Sequence, residues 1–81
     1  MWFKIIDEII ATEEEREAIY DGLKNHGFTI TEAEIYDEEE NDTFTWKYID
    51  INSLEDLMKL NNVLGYPVAI EGPEIVFLET T

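Results

Sequence analysis

The first apolar run of the chain, Trp2 to Ile6, carries large side chains at both odd and even positions. In a strand, Trp2 and Ile6 would point to one face, and Phe3 and Ile5 to the opposite face. A strand that is apolar on both faces is typical of the middle of a sheet. The pattern therefore predicts a central strand that is buried on most of both sides.

Two later segments carry apolar residues at helical spacing, and each follows a residue that caps helices well. Thr12 and the three glutamates after it form a capping box, which begins a first helix that ends at Gly27. Asn52-Ser53 caps a second helix, which ends at Gly65 before Pro67. The inward stripes are predicted as Ala18, Ile19, Tyr20 and Leu23 in the first helix, and Leu54, Leu57, Met58, Leu60, Asn61 and Leu64 in the second.

Between the helices, the pattern predicts two strands joined by an acidic connector. The first begins at Phe28, and its apolar positions change parity between Ile30 and Ala33. This change predicts a bulge near residues 31–32, with a local helical turn as the alternative. The second strand, residues 43–51, alternates cleanly. Its two faces carry Phe44, Trp46 and Tyr48 on one side, and Thr45, Lys47, Ile49 and Ile51 on the other.

The end of the chain completes the predicted fold. Residues 68–70 and 75–78 flank a turn at Glu71-Gly72-Pro73-Glu74, which predicts a hairpin, and one longer, broken strand is the alternative. The element order is then β-α-β-β-α-β, which predicts an α+β, ferredoxin-like split βαβ fold with two helices on one face of an antiparallel sheet. Right-handed crossovers place the first and third strands at the centre. The other sheet face is then either solvated or packed on a partner.

The length of the chain predicts one domain, residues 1–81. The first residues do not resemble a signal peptide, and no apolar stretch approaches the roughly 18–20 residues of a membrane span. We therefore expect a cytoplasmic protein. The predicted core includes Trp2, Ile5, Ile19, Leu23, Trp46, Ile49, Leu57, Leu64 and Ile70.

The balance of charge limits what this chain can bind. Twenty acidic and five basic residues give a formal net charge of −15, whereas a magnitude of about 2–8 is enough to keep a small domain soluble. Such a field repels nucleic acid, anionic membranes and phosphorylated substrates, and it attracts basic protein surfaces. We therefore expect a basic protein partner, and no direct contact with nucleic acid or membrane. Neighbouring carboxyls are also expected to raise one another's pKa.

The residues that carry chemistry in other proteins form no such pattern here. The chain has no Cys, and its single histidine, His26, lies at the predicted end of the first helix, where a structural role is expected. Asp37, Glu39 and Asn41 resemble the first ligands of a calcium loop, but Asp42 replaces the glycine that such a loop requires. We expect no catalytic residues, no metal site and no cofactor.

Seven acids within eleven residues form the densest cluster of charge: Glu32, Glu34, Asp37, Glu38, Glu39, Glu40 and Asp42. On an extended strand, Glu32 and Glu34 would project the same way, about 6.5–7 Å apart. This separation is comparable with the spacing of phosphates along one nucleic-acid strand. The seven residues are therefore predicted to bind the partner, in place of a phosphate backbone. A merely solvated charged surface is the alternative.

The length, acidity and cysteine-free α+β pattern resemble small proteins carried by phages and prophages. Some of these, the anti-CRISPR and anti-restriction DNA mimics, occupy the DNA-binding cleft of a host nuclease. The segment from Ile49 to Leu60, a strand, a cap and an amphipathic helix, is also similar to one found in small bacterial proteins. The resemblance implies an inhibitor that occupies the basic nucleic-acid cleft of a host protein.

Together, these patterns predict a non-enzymatic acidic binding module, with DNA mimicry as the sharper form of the prediction. The main alternative is a generic protein-interaction or regulatory domain without mimicry, and a small enzyme with paired carboxylates is a third. A concave pocket with two converging acids would favour the enzyme. A flat acidic ridge would favour the mimic.

Overall fold

The computed structural model describes residues 1–79, and this part of the chain contains two helices and five strands. In chain order, they are β1 (Trp2–Ile6), α1 (Glu13–Asn25), β2 (Ile30–Asp37), β3 (Asp42–Asp50), α2 (Leu54–Leu64), β4 (Val68–Glu71) and β5 (Glu74–Phe77). The fold is α+β, as predicted, and the chain ends in the predicted hairpin, β4–β5. Neither helix in residues 1–79 is long and apolar enough to cross a membrane.

The strands form one open sheet in the order β2-β3-β1-β5-β4. β1 lies in the middle with β3 beside it, as the crossover rule predicts. The pair β1–β5 is parallel, and the other three pairs are antiparallel. The ferredoxin-like order is therefore not confirmed. The reason is the terminal hairpin: it reverses the chain after β4, so that β5 returns parallel to β1 and lies between β1 and β4.

Both helices begin and end where local chemistry predicts. The hydroxyl of Thr12 accepts a hydrogen bond at 3.2 Å from the backbone N–H three residues later. Ser53 caps α2 in the same way, at 3.1 Å. These bonds satisfy N–H groups that the first turn of a helix leaves unpaired. At the other ends, Gly27 and Gly65 adopt φ values of 92° and 69°, which glycine adopts without strain.

One layer of apolar side chains lies between the sheet and the two helices. Phe3 lies opposite Ile49, and Ile5 lies beside Ile75, so that the three inner strands turn a common apolar face toward the helices. The buried cluster consists of Phe3, Ile5, Ile10, Tyr20, Leu23, Phe28, Ile49, Ile51, Leu60, Leu64, Ile75 and Phe77. The core lies on this side of the sheet, and both helices pack against it.

Three of the nine predicted core residues lie outside the core. Trp2 is 46% exposed and Ile70 is 47% exposed. Trp2 lies on the sheet face that no helix covers, so β1 is deeply buried on one face only. Trp46 is half-buried on the same uncovered face, and Ile70 lies on the edge strand β4. Of the other six, Ile5, Leu23, Ile49 and Leu64 are buried, and Ile19 and Leu57 are partly buried against the cluster.

The buried stripe of α2 also differs from the prediction. Leu54 and Met58 are 72% and 60% exposed, and Asn61 is exposed. Leu60, one of the six residues of the predicted stripe, is the most deeply buried residue of the helix. The side that faces the core runs along Leu57, Leu60, Val63 and Leu64, which is an equally regular helical spacing.

The predicted bulge in β2 is wrong. β2 pairs with β3 without interruption, from Ile30 opposite Ile49 to Asp37 opposite Asp42. The apolar positions change parity for another reason. Ile30 packs against the core on the helix side, whereas Ala33 lies on the opposite side of the sheet.

We expect Leu60→Ala to lower the free energy of unfolding by about 2–5 kcal/mol, because the side chain is 1% exposed and its removal leaves a cavity in the core. Leu54→Ala is the matched control on the same helix, and it should stay within about 0.5 kcal/mol of the unsubstituted protein. Urea unfolding of both variants measures the difference. Equal losses would show that α2 packs on the sheet through another face.

Candidate functional site

The predicted site residues lie on the hairpin β2–β3, whose turn is held together by its own side chains. Asp37 accepts hydrogen bonds from the backbone N–H groups of Glu39 at 2.9 Å and Glu40 at 3.4 Å. Asn41 closes the turn with a φ of 50°, and its side-chain oxygen accepts a hydrogen bond from the hydroxyl of Tyr36. These bonds give the backbone of the turn a defined structure, from which the side chains of Glu38, Glu39 and Glu40 project into solvent.

The seven acids of the predicted site surround the outer part of this hairpin and do not form one flat ridge. Glu32 and Glu34 lie at alternate positions of β2, on the side of the sheet that carries the helices. Asp37 and Asp42 face each other across the two strands, on the opposite side. Glu38, Glu39 and Glu40 form the exposed turn. The structure brings Asp37 and Asp42 together, and it separates them from Glu32 and Glu34.

Glu32 is partly neutralised by its cross-strand neighbour Lys47. The Lys47 ammonium donates a hydrogen bond to the Glu32 carboxylate, and this bond, together with the positive charge, holds the pKa of Glu32 below its ordinary value. The pKa of Asp50 is also lowered, by hydrogen bonds from the amino group of Met1, at 2.8 Å, and from the side chain of Asn52. For these two carboxyls, the predicted upward shift of pKa is wrong, because a cation lies closer than another acid.

A cleft of about 420 Å³ lies between α1 and the hairpin, and its lining includes Asp7, Arg16, Tyr20, Glu32 and Lys47. The hydroxyl of Tyr20 donates a hydrogen bond to Asp7, and the Arg16 side chain lies 3.9 Å from the same carboxylate. Burial raises the pKa of Tyr20, and the hydrogen bond to Asp7 raises it further, so the phenol keeps its proton. Asp7 and Glu32 are each paired with a cation, and two further acids of α1, Glu13 and Glu17, also line the cleft.

The same contacts show what the cleft does for the fold. Arg16 also donates a hydrogen bond, at 2.7 Å, to the backbone carbonyl of Ile10. Arg16 thereby ties the segment between β1 and α1 to the helix itself. Lys47 also lies 4.9 Å from the centre of the Tyr20 ring, which links β3 to α1. These interactions hold α1 to the preceding segment and to β3.

The remaining candidates for chemistry give no further site. His26 is the C-terminal capping residue of α1, as predicted, and its Nδ1 lies 2.8 Å from the carbonyl oxygen of Gly22. Within residues 1–79, no group of three or more His, Cys, Asp or Glu side chains is placed to hold a metal ion.

The sheet side opposite the helices, which we call the open face, carries exposed apolar and aromatic side chains. Ile35 and Phe44, which pair across β2 and β3, are 45% and 40% exposed. By the strand register, the apolar part of this face consists of Trp2, Ile6, Ala33, Ile35, Phe44, Trp46, Tyr48, Ala69 and Val76. The predicted common side of Phe44, Trp46 and Tyr48 is confirmed.

The open face was predicted to lack helices and to be either solvated or packed on a partner, but none of its residues was assigned to a binding site. The signal was present in two places: the aromatic alternation along β3, and the apolar residues Trp2 and Ile6 on the same side of β1. Both were interpreted as packing.

Charge on the open face is almost entirely negative. Lys4 is the one basic residue that the described strands place there, and its ammonium lies 3.5 Å from the centre of the Trp46 ring. The same register places five carboxylates around the apolar part: Asp37, Asp42, Asp50, Glu71 and Glu74. Asp50 is paired with the amino group of Met1, and the other four have no ion pair within residues 1–79. An apolar centre with an acidic border is suited to a ligand that is both apolar and cationic.

A shallow hollow of about 500 Å³ joins this face to the acidic turn. Ile35, Phe44 and Trp46 contribute its apolar wall, and Asp37 and Glu38 contribute carboxylates. The hollow therefore connects the predicted acidic site with the aromatic surface that sequence reasoning missed.

Comparison of this chain with protein-family models, with curated proteins and with solved structures found no match. The resemblance to phage-type DNA mimics, which rests on length, acidity and element order, stays a prediction.

The pair of Lys47 and Glu32 should make stability depend on pH. Its contribution is full above the unfolded-state pKa of Glu32, about 4.5, and it is lost as the pH falls through the lower folded-state pKa. Glu34→Gln is the matched control, because Glu34 lies on the same strand and face and has no ion pair among the described residues. Each variant removes one negative charge, so both reduce the repulsion among the acidic side chains to the same extent.

We therefore expect Glu32→Gln to be less stable than Glu34→Gln at pH 7, and the two to converge as the pH falls below 4.5. Urea unfolding at a series of pH values between 7 and 3 measures this. If the two variants are equally stable at pH 7, the pair contributes nothing.

Proposed function

We propose that this protein is a non-enzymatic acidic module that binds a basic surface of another protein. The observation that carries the proposal is the excess of unpaired carboxylates. Twenty acids lie within the described residues, and three of them, Asp7, Glu32 and Asp50, pair with a cation there. The other carboxylates give the surface a negative field that a basic partner would neutralise.

The hairpin β2–β3 is the part of the molecule best suited to first contact. Its turn carries three consecutive exposed glutamates, Glu38, Glu39 and Glu40, at the end of a pair of long strands. Charges that project from one end of a small domain steer an oppositely charged partner toward that end. The fixed turn geometry keeps the loss of conformational entropy on binding small.

The sharper form of the proposal is that the partner's basic surface is one that holds DNA or RNA. Its support is the concentration of seven acids around one hairpin, with Glu32 and Glu34 at alternate positions of one strand. Two observations weigh against it: the seven do not form one flat ridge, and Lys47 partly neutralises Glu32. The alternative is a protein-interaction domain without mimicry. A specific observation favours this alternative: the open face offers exposed apolar contacts, such as Phe44, that a phosphate backbone does not offer.

The experiment begins with a partner captured from a nuclease-treated cell lysate. We expect the triple variant Glu38→Lys, Glu39→Lys, Glu40→Lys to associate with this partner at least about tenfold more slowly, because electrostatic steering contributes about 10- to 1,000-fold to association rates. Stopped-flow or surface-based kinetics at several salt concentrations measure the rate. Thermal unfolding checks that the variant is folded.

A matched control reverses three exposed acids of α1 instead: Glu14→Lys, Glu17→Lys and Asp21→Lys. This control changes the net charge by the same amount. Equal effects of the two triple variants would assign the attraction to the total charge and not to the hairpin.

Competition with DNA or RNA then separates the two forms of the proposal. A mimic and a nucleic acid should exclude each other from the partner, because both would occupy the same Lys and Arg side chains. Simultaneous, independent binding would overturn mimicry and leave the interaction domain.

A further inference from the structure

We propose that the open face is the docking surface for an arginine-rich segment of the partner protein, with guanidinium groups stacked on its exposed aromatic rings. The proposal rests on the proposed function, since it concerns the same basic partner, and it adds where the partner is held and which basic side chain is favoured.

The open face is unsuited to a second copy of this chain. Each copy has a formal net charge of −15. A two-fold contact through this face would bring the acidic borders together, including Asp37, Asp42 and Glu71 of each copy, which have no ion pair within residues 1–79. Like charges at close range destabilise such a contact, and most strongly when it excludes water. A cationic occupant would experience attraction from the same groups.

Nucleic acid is disfavoured for the same reason. Exposed rings on a sheet can stack with unpaired bases, but such sites also provide a positively charged groove for the phosphates. Here Lys4 is the one basic side chain that the described strands place on the open face, and it already lies over Trp46. The rings are therefore available to a cation and not to a polyanion.

The protein itself shows that its aromatic rings hold cations. Three of its four lysines lie over a ring: Lys4 over Trp46 at 3.5 Å, Lys47 over Tyr20 at 4.9 Å, and Lys59 over Phe28 at 5.3 Å. The attraction between a cation and a ring increases when water is excluded. On the open face, the rings of Trp2, Phe44 and Tyr48 have no such cation from the described residues.

The hollow beside the turn has the parts that recognise a guanidinium group. Phe44 and Trp46 provide ring surface, and the carboxylate of Asp37 lies at the border of the same hollow. One oxygen of Asp37 accepts the two hydrogen bonds of the turn, and the other, Oδ2, has no hydrogen bond from residues 1–79. Arginine combines a flat group that stacks on a ring with several donors for a carboxylate, whereas lysine does not.

The test uses two synthetic peptides of equal charge as probes. Each contains four basic residues separated by glycine and serine, and the basic residue is arginine in one peptide and lysine in the other. The full chain is titrated with each peptide, and binding is measured by calorimetry and by backbone amide NMR shifts. We expect the arginine peptide to bind at least about threefold more tightly, and to shift the amides of β1 and β3.

Two pairs of variants locate the binding site. Within each pair the change in charge is the same, so a difference in binding reports the position of the substitution. Phe44→Thr should weaken binding of the arginine peptide by about 2- to 30-fold, whereas Met58→Ala, at an exposed position of α2, should leave binding unchanged. Ile35→Lys adds one positive charge to the hollow and should weaken binding more than Met58→Lys, which adds the same charge elsewhere. The second pair provides the test if Phe44→Thr does not fold.

The possible results separate this inference from the proposed function. If neither peptide binds, the docking surface is wrong, and the association kinetics of the captured partner still decide the proposed function. If the two peptides bind equally, and only the triple variant Glu38→Gln, Glu39→Gln, Glu40→Gln weakens their binding, the acidic binding module stands and the aromatic docking surface is wrong. If a single-stranded oligonucleotide shifts β1 and β3 in place of the peptides, or if the chain dimerises through this face in sedimentation equilibrium, the assigned occupant is wrong.

Discussion

The scarcity of positive charge is the constraint on which this structure depends. The chain has five basic and twenty acidic side chains. Four of the five basic side chains lie where two elements meet. Arg16 joins α1 to the segment before it, and Lys47 joins β3 to both β2 and α1. Lys59 of α2 lies over Phe28, just before β2, and Lys4 of β1 lies over Trp46 of β3. The cations are placed as connections within the fold, so the surface keeps its negative charge.

That negative charge also explains how an incompletely covered sheet is tolerated. Two helices cover one side of five strands, and side chains such as Phe44 and Trp2 remain exposed on the other side. Exposed apolar surface and sheet edges ordinarily favour association between copies. Here every copy repels every other, and the long edge strand β2 carries Glu32 and Glu34. The negative charge would therefore oppose association between copies through the open face, to which the proposed cationic partner would bind.

Local features of the fold could be predicted from the sequence, because they depend on neighbouring residues. The caps at Thr12 and Ser53, the glycines after each helix, the alternation of β3 and the terminal hairpin all follow from interactions within a few positions. The insertion of β5 beside β1 could not be predicted in this way, since it depends on pairing between residues about 70 positions apart, such as Ile5 and Ile75.

The site shows the same division. The density of acids between Glu32 and Asp42 is visible in the sequence, but their distribution over the two sides of the hairpin is set by the register of β2 against β3. Register also decides that Glu32 meets Lys47, which changes a predicted rise of pKa into a fall. Trp2 was predicted to be buried because an apolar side chain usually indicates a core, and a surface kept apolar for a partner gives the same pattern in a sequence.

Charge and apolar surface would have different tasks in binding. Attraction between separated charges extends only about 8 Å at physiological ionic strength, and it acts on any basic protein, so it accelerates encounter without selecting a partner. Selection requires contacts that depend on shape and on the kind of cation. The two surfaces are joined at the hollow, where Asp37 belongs to the acidic turn and Phe44 to the open face. A basic segment attracted to the acidic turn would therefore reach the aromatic rings while it remains close to the carboxylates. The lifetime of the complex would then depend on how well the side chains of the segment pack on those rings.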